Sequence, residues 1–249
     1  MLKIPKLREL SFLVYGLGLS GQSVVKFFKK NRIKNFKVWD DNPKKILKNY
    51  KTSNLIQSLN NVDYIVLSPG ISLIKNKNLI KFKDKIITDI DLFFLTKNKF
   101  KSIVVTGTNG KSTTCKIIAH LLKKNNYKIL LGGNIGTPLL NFNFMKNNFL
   151  IIEASSFQLA YSKFINPDYS ILLNITNDHL DWHGNMKNYI NSKLKIFKHQ
   201  KKNQYSLLSN KFKKIFKKNN FSGKLIIPKL SEYRDFKYRI NNSYLKLKI

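Results

Sequence analysis

Twice in this chain a short apolar run ends in a glycine-rich loop that opens onto a helix-spaced segment: SFLVYGLGLSG at 11–21 and SIVVTGTNGKST at 102–113. That pattern constrains the fold more than any other feature. A continuous apolar run of four to six residues suits a strand buried on both faces. A glycine loop followed by helical spacing turns the chain back across the sheet. After the first loop, VVKFFKKN at 24–31 has helical spacing, FKVWD at 36–40 is a short strand ending in an acid, and VDYIVLSPG at 62–70 and KIITDI at 85–90 supply further strands. Together they predict a small parallel α/β domain over residues 1–96. After the second loop, KSTTCKIIAHLLKKN reads as a helix, and YKILLGGNIG, NFLIIEASSFQLA and YSILLNITNDH as strands that each end in a polar or glycine turn. Residues 97–249 are therefore expected to form a second α/β domain. Beyond residue 200 the signals weaken. QYSLLSN and GKLIIP read as strands separated by lysine-rich KFKKIFKKNN, and the terminal NNSYLKLKI alternates without a finishing cap.

Composition excludes several classes. At 43% hydrophobic residues the chain is not a disordered tail, and its apolar runs are broken by lysine and asparagine before reaching membrane-spanning length. The basic start followed by FLVYGLGL lacks a small-residue cleavage pattern, so a cytoplasmic protein is expected. One cysteine, Cys115, rules out an intrachain disulfide framework and a multi-cysteine zinc site, and its apolar surroundings suit a buried structural thiol. The charge of +33, from 46 Lys+Arg against 13 Asp+Glu, attracts polyanions non-specifically. The lysines are scattered along the whole chain, usually beside asparagine, and no aromatic-studded RNA motif or zinc finger accompanies them. No specific nucleic-acid partner is expected.

The chemistry-bearing residues fall at the carboxyl ends of the strands, where open α/β sheets bind ligands. Gly16, Gly18 and Gly21 meet the G-x-G-x-x-G spacing, and Asp40 follows the next strand as a ribose-binding acid would. A purely structural glycine turn would look the same. In GTNGKST, spanning Gly107, Thr108, Asn109, Gly110, Lys111, Ser112 and Thr113, loop amides suit anionic oxygens, and the lysine and hydroxyls suit phosphate and magnesium. A full Walker A loop would need glycine where Val105 stands, so this is a shortened variant. Glu153 at a strand end suits either cation binding or capping, with Ser155 and Ser156 just after it. Asn134 in GGNIG is either a turn residue or a ligand-facing amide. His179 and His183 are four apart, the spacing of a helical metal pair, but Gly184 and the dense polar residues argue against a long helix. Asp178 and Asp181 could orient these imidazoles. Residue types and spacing alone thus reach an ATP-using α/β enzyme with its reaction open.

The ordered set GLGLSG, GTNGKSTT, GGNIG, EASSFQL and LNITNDHLDWHG…YINSKLKIF closely resembles the Mur ligase family, firmly to about residue 200 and more weakly afterwards. SSFQL and GLGLSG favour its D-glutamate-adding branch over other Mur ligases and the related folylpolyglutamate synthases. The resemblance implies an N-terminal Rossmann-like parallel-sheet domain that binds a UDP-sugar. A central P-loop ATPase-like α/β domain would follow, incomplete in this chain, with the family's third, C-terminal domain absent. Leu19, Ser20, Asp40, Asp41, Asn134, Ser155 and His179 would contact substrate. The family often has a Thr-Arg pair where this chain has Asp41-Asn42, a departure at the uridine side. Residues 107–113 would hold ATP phosphates, with Lys111 stabilising the transferring phosphoryl group. Ser112, Glu153, His179 and Lys193 would surround Mg²⁺, with Lys193 converted to a carbamate. The implied reaction joins D-glutamate to UDP-N-acetylmuramoyl-L-alanine through an acyl phosphate, for peptidoglycan and hence cell shape and division, in a monomeric enzyme. Addition of another amino acid, or a non-catalytic nucleotide-binding fragment, is the alternative. Weak or absent complete ligation is expected of these 249 residues.

Overall fold

The computed structural model describes residues 4–46, 48–96, 100–142, 149–228, 237–240 and 243–246. The N-terminal unit runs α1 (Ile4–Arg8), β1 (Phe12–Tyr15), α2 (Leu19–Lys30), β2 (Phe36–Trp39), α3 (Leu55–Asn61), β3 (Tyr64–Leu67), α4 (Lys77–Ile80), β4 (Ile86–Ile87) and α5 (Asp89–Leu95). Its four strands lie in the order β2-β1-β3-β4, all parallel, with Phe12 opposite both Phe36 and Tyr64. Side chains alternate across a strand, so β1 serves two cores. Phe12 and Val14 pack with Val24, Phe28 and Val38 on one face, while Leu13 and Tyr15 join Leu59, Ile65 and Leu79 on the other. β1 must therefore be apolar at every position, which is why FLVY is buried throughout.

The central unit runs β5 (Lys101–Thr106), α6 (Lys111–Lys124), β6 (Ile129–Gly133), β7 (Phe149–Glu153), α7 (Ser156–Ala160), β8 (Tyr169–Leu172), α8 (Leu180–His183), α9 (Met186–Lys198), β9 (Tyr205–Leu208), α10 (Lys213–Lys218) and β10 (Lys224–Ile226). Six parallel strands form a sheet in the order β10-β9-β8-β5-β7-β6. The weak signals after residue 200 are thus strands of this sheet, β10 at its edge and β9 between β10 and β8. Within the alternating terminal segment, β12 (Ser243–Lys246) pairs antiparallel with β11 (Lys237–Ile240).

Both sheets are of the expected parallel α/β class, and both reverse direction beside the strand that carries the glycine loop. β1 lies between β2 and β3, and β5 between β7 and β8. The crevice at such a reversal is where open α/β sheets take ligands. One continuous core links the units. Leu139 and Leu140 belong to the same buried cluster as Phe93 and Val24, and the short turn carrying them packs on α2 and α5.

Candidate active site

Two neighbouring clusters gather the residues singled out above. The first is a cleft of about 480 Å³ between the units. It is lined by Leu19, Ser20, Asp40 and Asp41 from the N-terminal sheet and by Asn134 and Ser155 from the central one. Of the expected substrate contacts, only His179 stands outside this lining. Asp40 is committed to the turn: its two oxygens accept from the Leu17 N–H at 2.6 Å and the Asn42 N–H at 2.8 Å. Asp41 accepts from the Tyr15 hydroxyl at 2.8 Å and the Trp39 indole at 3.1 Å. Burial, reinforced by the Asp41 carboxylate, pushes the Tyr15 phenol up to about 12, so it stays a donor. Ser155 caps α7, accepting from the Gln158 N–H while the Gln158 side chain reaches back to the Ser155 N–H. Ser68, Pro69 and Gly70 also line the cleft, and Ser68 Oγ donates to the Gly16 carbonyl at 2.8 Å. They were not singled out from the sequence, although the SPG turn at the end of VDYIVL is a signal of the same kind as GLGLSG.

The second cluster is the loop between β5 and α6. Val105 is the penultimate residue of β5 and fully buried, so the glycine loop starts only at Gly107. Gly110, the residue before α6, has φ +82°, a left-handed conformation that disfavours a side chain and lets Lys111 open the helix. Asn174 Oδ1 accepts from the Thr108 and Asn109 N–H groups at 3.1 and 2.9 Å, and Tyr189 Oη lies 2.9 Å from Thr108 Oγ1. Neither residue was singled out beforehand, although both lie in quoted motifs. Lys111 Nζ donates to the Gly107 and Thr108 carbonyls, at 3.0 and 2.8 Å, across the mouth of the loop. Thr113 is exposed on the first turn of α6.

Ser112 connects the clusters. Its hydroxyl donates to Glu153 Oε2 at 2.7 Å, and the Asn134 amide donates to Oε1 of the same carboxylate at 3.1 Å. Glu153, 2% exposed, forms no ion pair with a lysine or arginine among the described residues. A buried carboxylate held by a hydroxyl and an amide is a hard oxygen site suited to a divalent cation. No group of three His, Cys, Asp or Glu residues is assembled to hold a metal among the described residues. Further donors would have to be hydroxyls, phosphate oxygens or a modified side chain.

Lys193 lies on the inward face of α9, 1% exposed, with Nζ donating to the Gly107 carbonyl at 2.8 Å and 4.6 Å from the Tyr189 ring centre. Burial, with the charge of Lys111 adding to it, lowers its pKa to about 7. An amine in this state is partly neutral at neutral pH and nucleophilic. Cys115, beneath the loop, goes the other way: burial and then Glu153 push the thiol up to about 12, which makes it inert.

The two histidines separate. His179, with φ +52°, precedes the four-residue α8. Its Nδ1 lies 3.3 Å from Asp178 Oδ1, and its ring packs on Phe157 with centroids 4.7 Å apart. No hydrogen bond links it to Glu153 or Lys193 among the described residues. His183 is buried, within hydrogen-bonding distance of Ser156 Oγ at 3.0 Å and stacked on Phe157. Asp181 instead pairs on the surface with Lys75 at 3.6 Å.

The family model described as the Mur ligase middle domain matches residues 105–244. The UDP-N-acetylmuramoylalanine–D-glutamate ligase of Wolbachia pipientis wMel is 38% identical over 206 residues, covering 78% of this chain and 40% of that protein. Its namesake from Rickettsia prowazekii (strain Madrid E) is 40% identical over 205 residues, covering 79% and 45%. That of Natranaerobius thermophilus is 34% identical over 221 residues, covering 80% and 48%. The chain thus spans about half the length of the curated relatives it matches.

Proposed function

Because the chain belongs to the Mur ligase family, we propose that it serves the ATP-dependent joining of D-glutamate to UDP-N-acetylmuramoyl-L-alanine, a step of peptidoglycan synthesis. The observation that carries this reading is the chain of contacts Ser112–Glu153–Asn134. It runs from the first turn after the phosphate loop to the wall of the inter-unit cleft. A phosphoryl donor on the loop and an acceptor in the cleft would meet across one buried carboxylate. The similarity to D-glutamate ligases supports the choice of amino acid.

In this reading, residues 1–96 hold the uridine diphosphate end. Leu19 and Ser20 lie at the helix N-terminus, and Asp40 and Asp41 at the nucleoside side. The substrate carboxylate attacks the γ-phosphorus of ATP, giving an acyl phosphate and ADP. The amine of D-glutamate then attacks that carbonyl and expels phosphate. Lys111 would leave its two carbonyl partners for the γ-phosphate, and the Thr108 and Asn109 amides, steadied by Asn174, would be held ready beside it. Ser155 would contact the substrate, and His179 would approach its phosphate end.

The donor set Ser112 and Glu153 fits magnesium and would hold it, and in this reading His179 and Lys193 would complete its surroundings. When bound, the metal neutralises charge on the transferring phosphoryl group. For Lys193, the reading is that the neutral amine adds CO₂ and releases a proton, converting an ammonium into an oxygen donor. Its burial and lowered pKa support this. The reading places the reaction in the cytoplasm, where ATP is supplied, in a monomer. No helix among the described residues is long and apolar enough to cross a membrane.

Calorimetric titration of the folded chain with UDP-N-acetylmuramoyl-L-alanine, against UDP-glucose, tests the proposal. Selective, saturable binding that weakens about tenfold in Asn134→Ala is expected. Equal affinity for the two ligands, or no binding by a demonstrably folded chain, would refute it.

A further inference from the structure

A second cleft, of about 410 Å³, opens on the same inter-unit seam and shares no lining residue with the first. Its size is that of a small-molecule site. The N-terminal unit contributes Leu73, Ile74 and Ile80, and the central unit contributes Tyr161 and Trp182. Two bonds across the seam hold these walls together: Ser72 Oγ to the Trp182 carbonyl at 2.9 Å, and the Leu73 N–H to Tyr161 Oη at 2.8 Å.

Three features give the cleft a chemical preference. Ile74 and Ile80 are 48% and 49% exposed, so apolar area is left for a ligand to cover. Trp182, 8% exposed, adds an aromatic ring to the wall and packs against Tyr161 with centroids 5.4 Å apart. Lys83 and Lys195 line the cleft, and no Asp or Glu does. Lys195 donates one bond to the Ala160 carbonyl and has further N–H donors to give. Asn191 and Ser192 add neutral polar groups beside it.

We propose that this cleft binds a small organic acid with an apolar, ring-sized body: the body against Ile74, Ile80 and Trp182, the anionic oxygens toward Lys83 and Lys195. The site is independent of the ligation reaction proposed above. Phe157, which lines the first cleft, packs against both Trp182 and His183, which line the second, at centroid distances of 4.8 and 5.7 Å. This aromatic wall keeps the two ligands apart.

The test is calorimetric titration of the 249-residue chain with phenyl phosphate and with phenylacetate, using benzyl alcohol as the uncharged comparison. Saturable one-to-one binding of at least one acid is expected, at least about tenfold tighter than the alcohol, and whichever acid binds identifies the head group. Ile80→Glu, which sets a carboxylate on the apolar wall, should weaken that binding about tenfold or more. Lys83→Glu, at an exposed position, should do the same and serves if Ile80→Glu does not fold. Saturating UDP, directed to the first cleft, should leave the affinity unchanged. Failure of both acids to bind, equal binding of the alcohol, indifference to a folded charge variant, or displacement by UDP would each overturn the proposal.

Discussion

His183 and Lys193 show how burial, reinforced by neighbouring positive charge, gives two basic side chains their character. Burial is the main cause of the fall in the His183 pKa to about 4, with the charges of Lys193 and His179 adding to it. The sign follows from proton binding. Between pH 6.5 and 4 the unfolded chain takes up a proton at this site that the folded chain refuses. His183's contribution to stability is therefore present above pH 6.5 and is lost as the pH falls through 4, by on the order of 2 kcal/mol. His183→Gln should flatten the fall in Tm between pH 6.5 and 4.5 relative to the parent. An unchanged slope would mean that the ring already carries its proton in the fold. For Lys193, the lowered pKa leads to a spectroscopic prediction. Incubated with ¹³C-bicarbonate near pH 8, the chain should show a carbamate carbon resonance that Lys193→Ala abolishes and Lys111→Ala retains. Its persistence in Lys193→Ala would remove the carbamate from the reading. Neither property was legible in residue order. Lys193 is one of 46 basic residues, and only the family resemblance singled it out. The physical signal was the polar pair Ser192-Lys193 on the face of α9 that also buries Tyr189, Ile196 and Phe197, and reading it requires knowing which face turns inward.

At the scale of elements, the β1–loop–α2 unit was legible because local chemistry dictates it. A four-residue apolar run stopped by glycine is too short for a helix and suits a strand buried on two faces, and the glycines permit the tight reversal into a helix. The structure adds that the three glycines are not equivalent. A Cβ on Gly21 would lie 1.9 Å from the Gly16 carbonyl oxygen, a clash with backbone that cannot move without undoing the turn. A Cβ on Gly18 would meet nothing within 4 Å, and its φ of −69° suits any residue. Gly21→Ala should therefore cost about 3 kcal/mol or more in urea unfolding. Gly18→Ala should leave stability within about 0.5 kcal/mol yet weaken the proposed UDP-substrate binding severalfold, because Gly18 lines the first cleft. Equal stability of the two variants would contradict the turn geometry. Unaltered binding in Gly18→Ala would separate this loop from the ligand. The second glycine loop was legible in the same way, whereas its support by Asn174 was not. That bond joins residues 65 positions apart, and its strand-end asparagine reads locally as a turn former.

Across the whole molecule, the division into two α/β units follows from the repeated strand-and-loop pattern, but the seam between them could not be read from it. α5 begins with a capping box between Thr88 and Asp91, so Asp91 looks from sequence like an ordinary first-turn acid. Folding turns its other oxygen toward the central unit. There Oδ1 accepts from Ser162 Oγ at 2.6 Å, the Lys163 N–H at 2.9 Å and the Phe164 N–H at 2.8 Å. A single fully buried carboxylate thus caps a helix of one unit and gathers the backbone of the other, and burial raises its pKa. Lys163 crosses the same seam, with Nζ donating to the Lys83 carbonyl at 3.0 Å and to the Asp84 carbonyl at 2.5 Å. Both clefts are formed by the two units together, so whatever fixes their relative position fixes both sites. Asp91→Ala would leave two backbone N–H groups and a hydroxyl of the central unit without their acceptor and remove the reciprocal half of the capping box on Thr88, costing about 3 kcal/mol or more. Asp84→Ala, at an exposed side chain, should cost less than about 0.5 kcal/mol. In scanning calorimetry the parent chain should unfold in one transition and Asp91→Ala in two, the lower one accompanied by loss of the proposed UDP-substrate binding. A single transition for Asp91→Ala, shifted no further than that of Asp84→Ala, would show that the apolar contact of Leu139 and Leu140 with α2 and α5 holds the units together without the carboxylate.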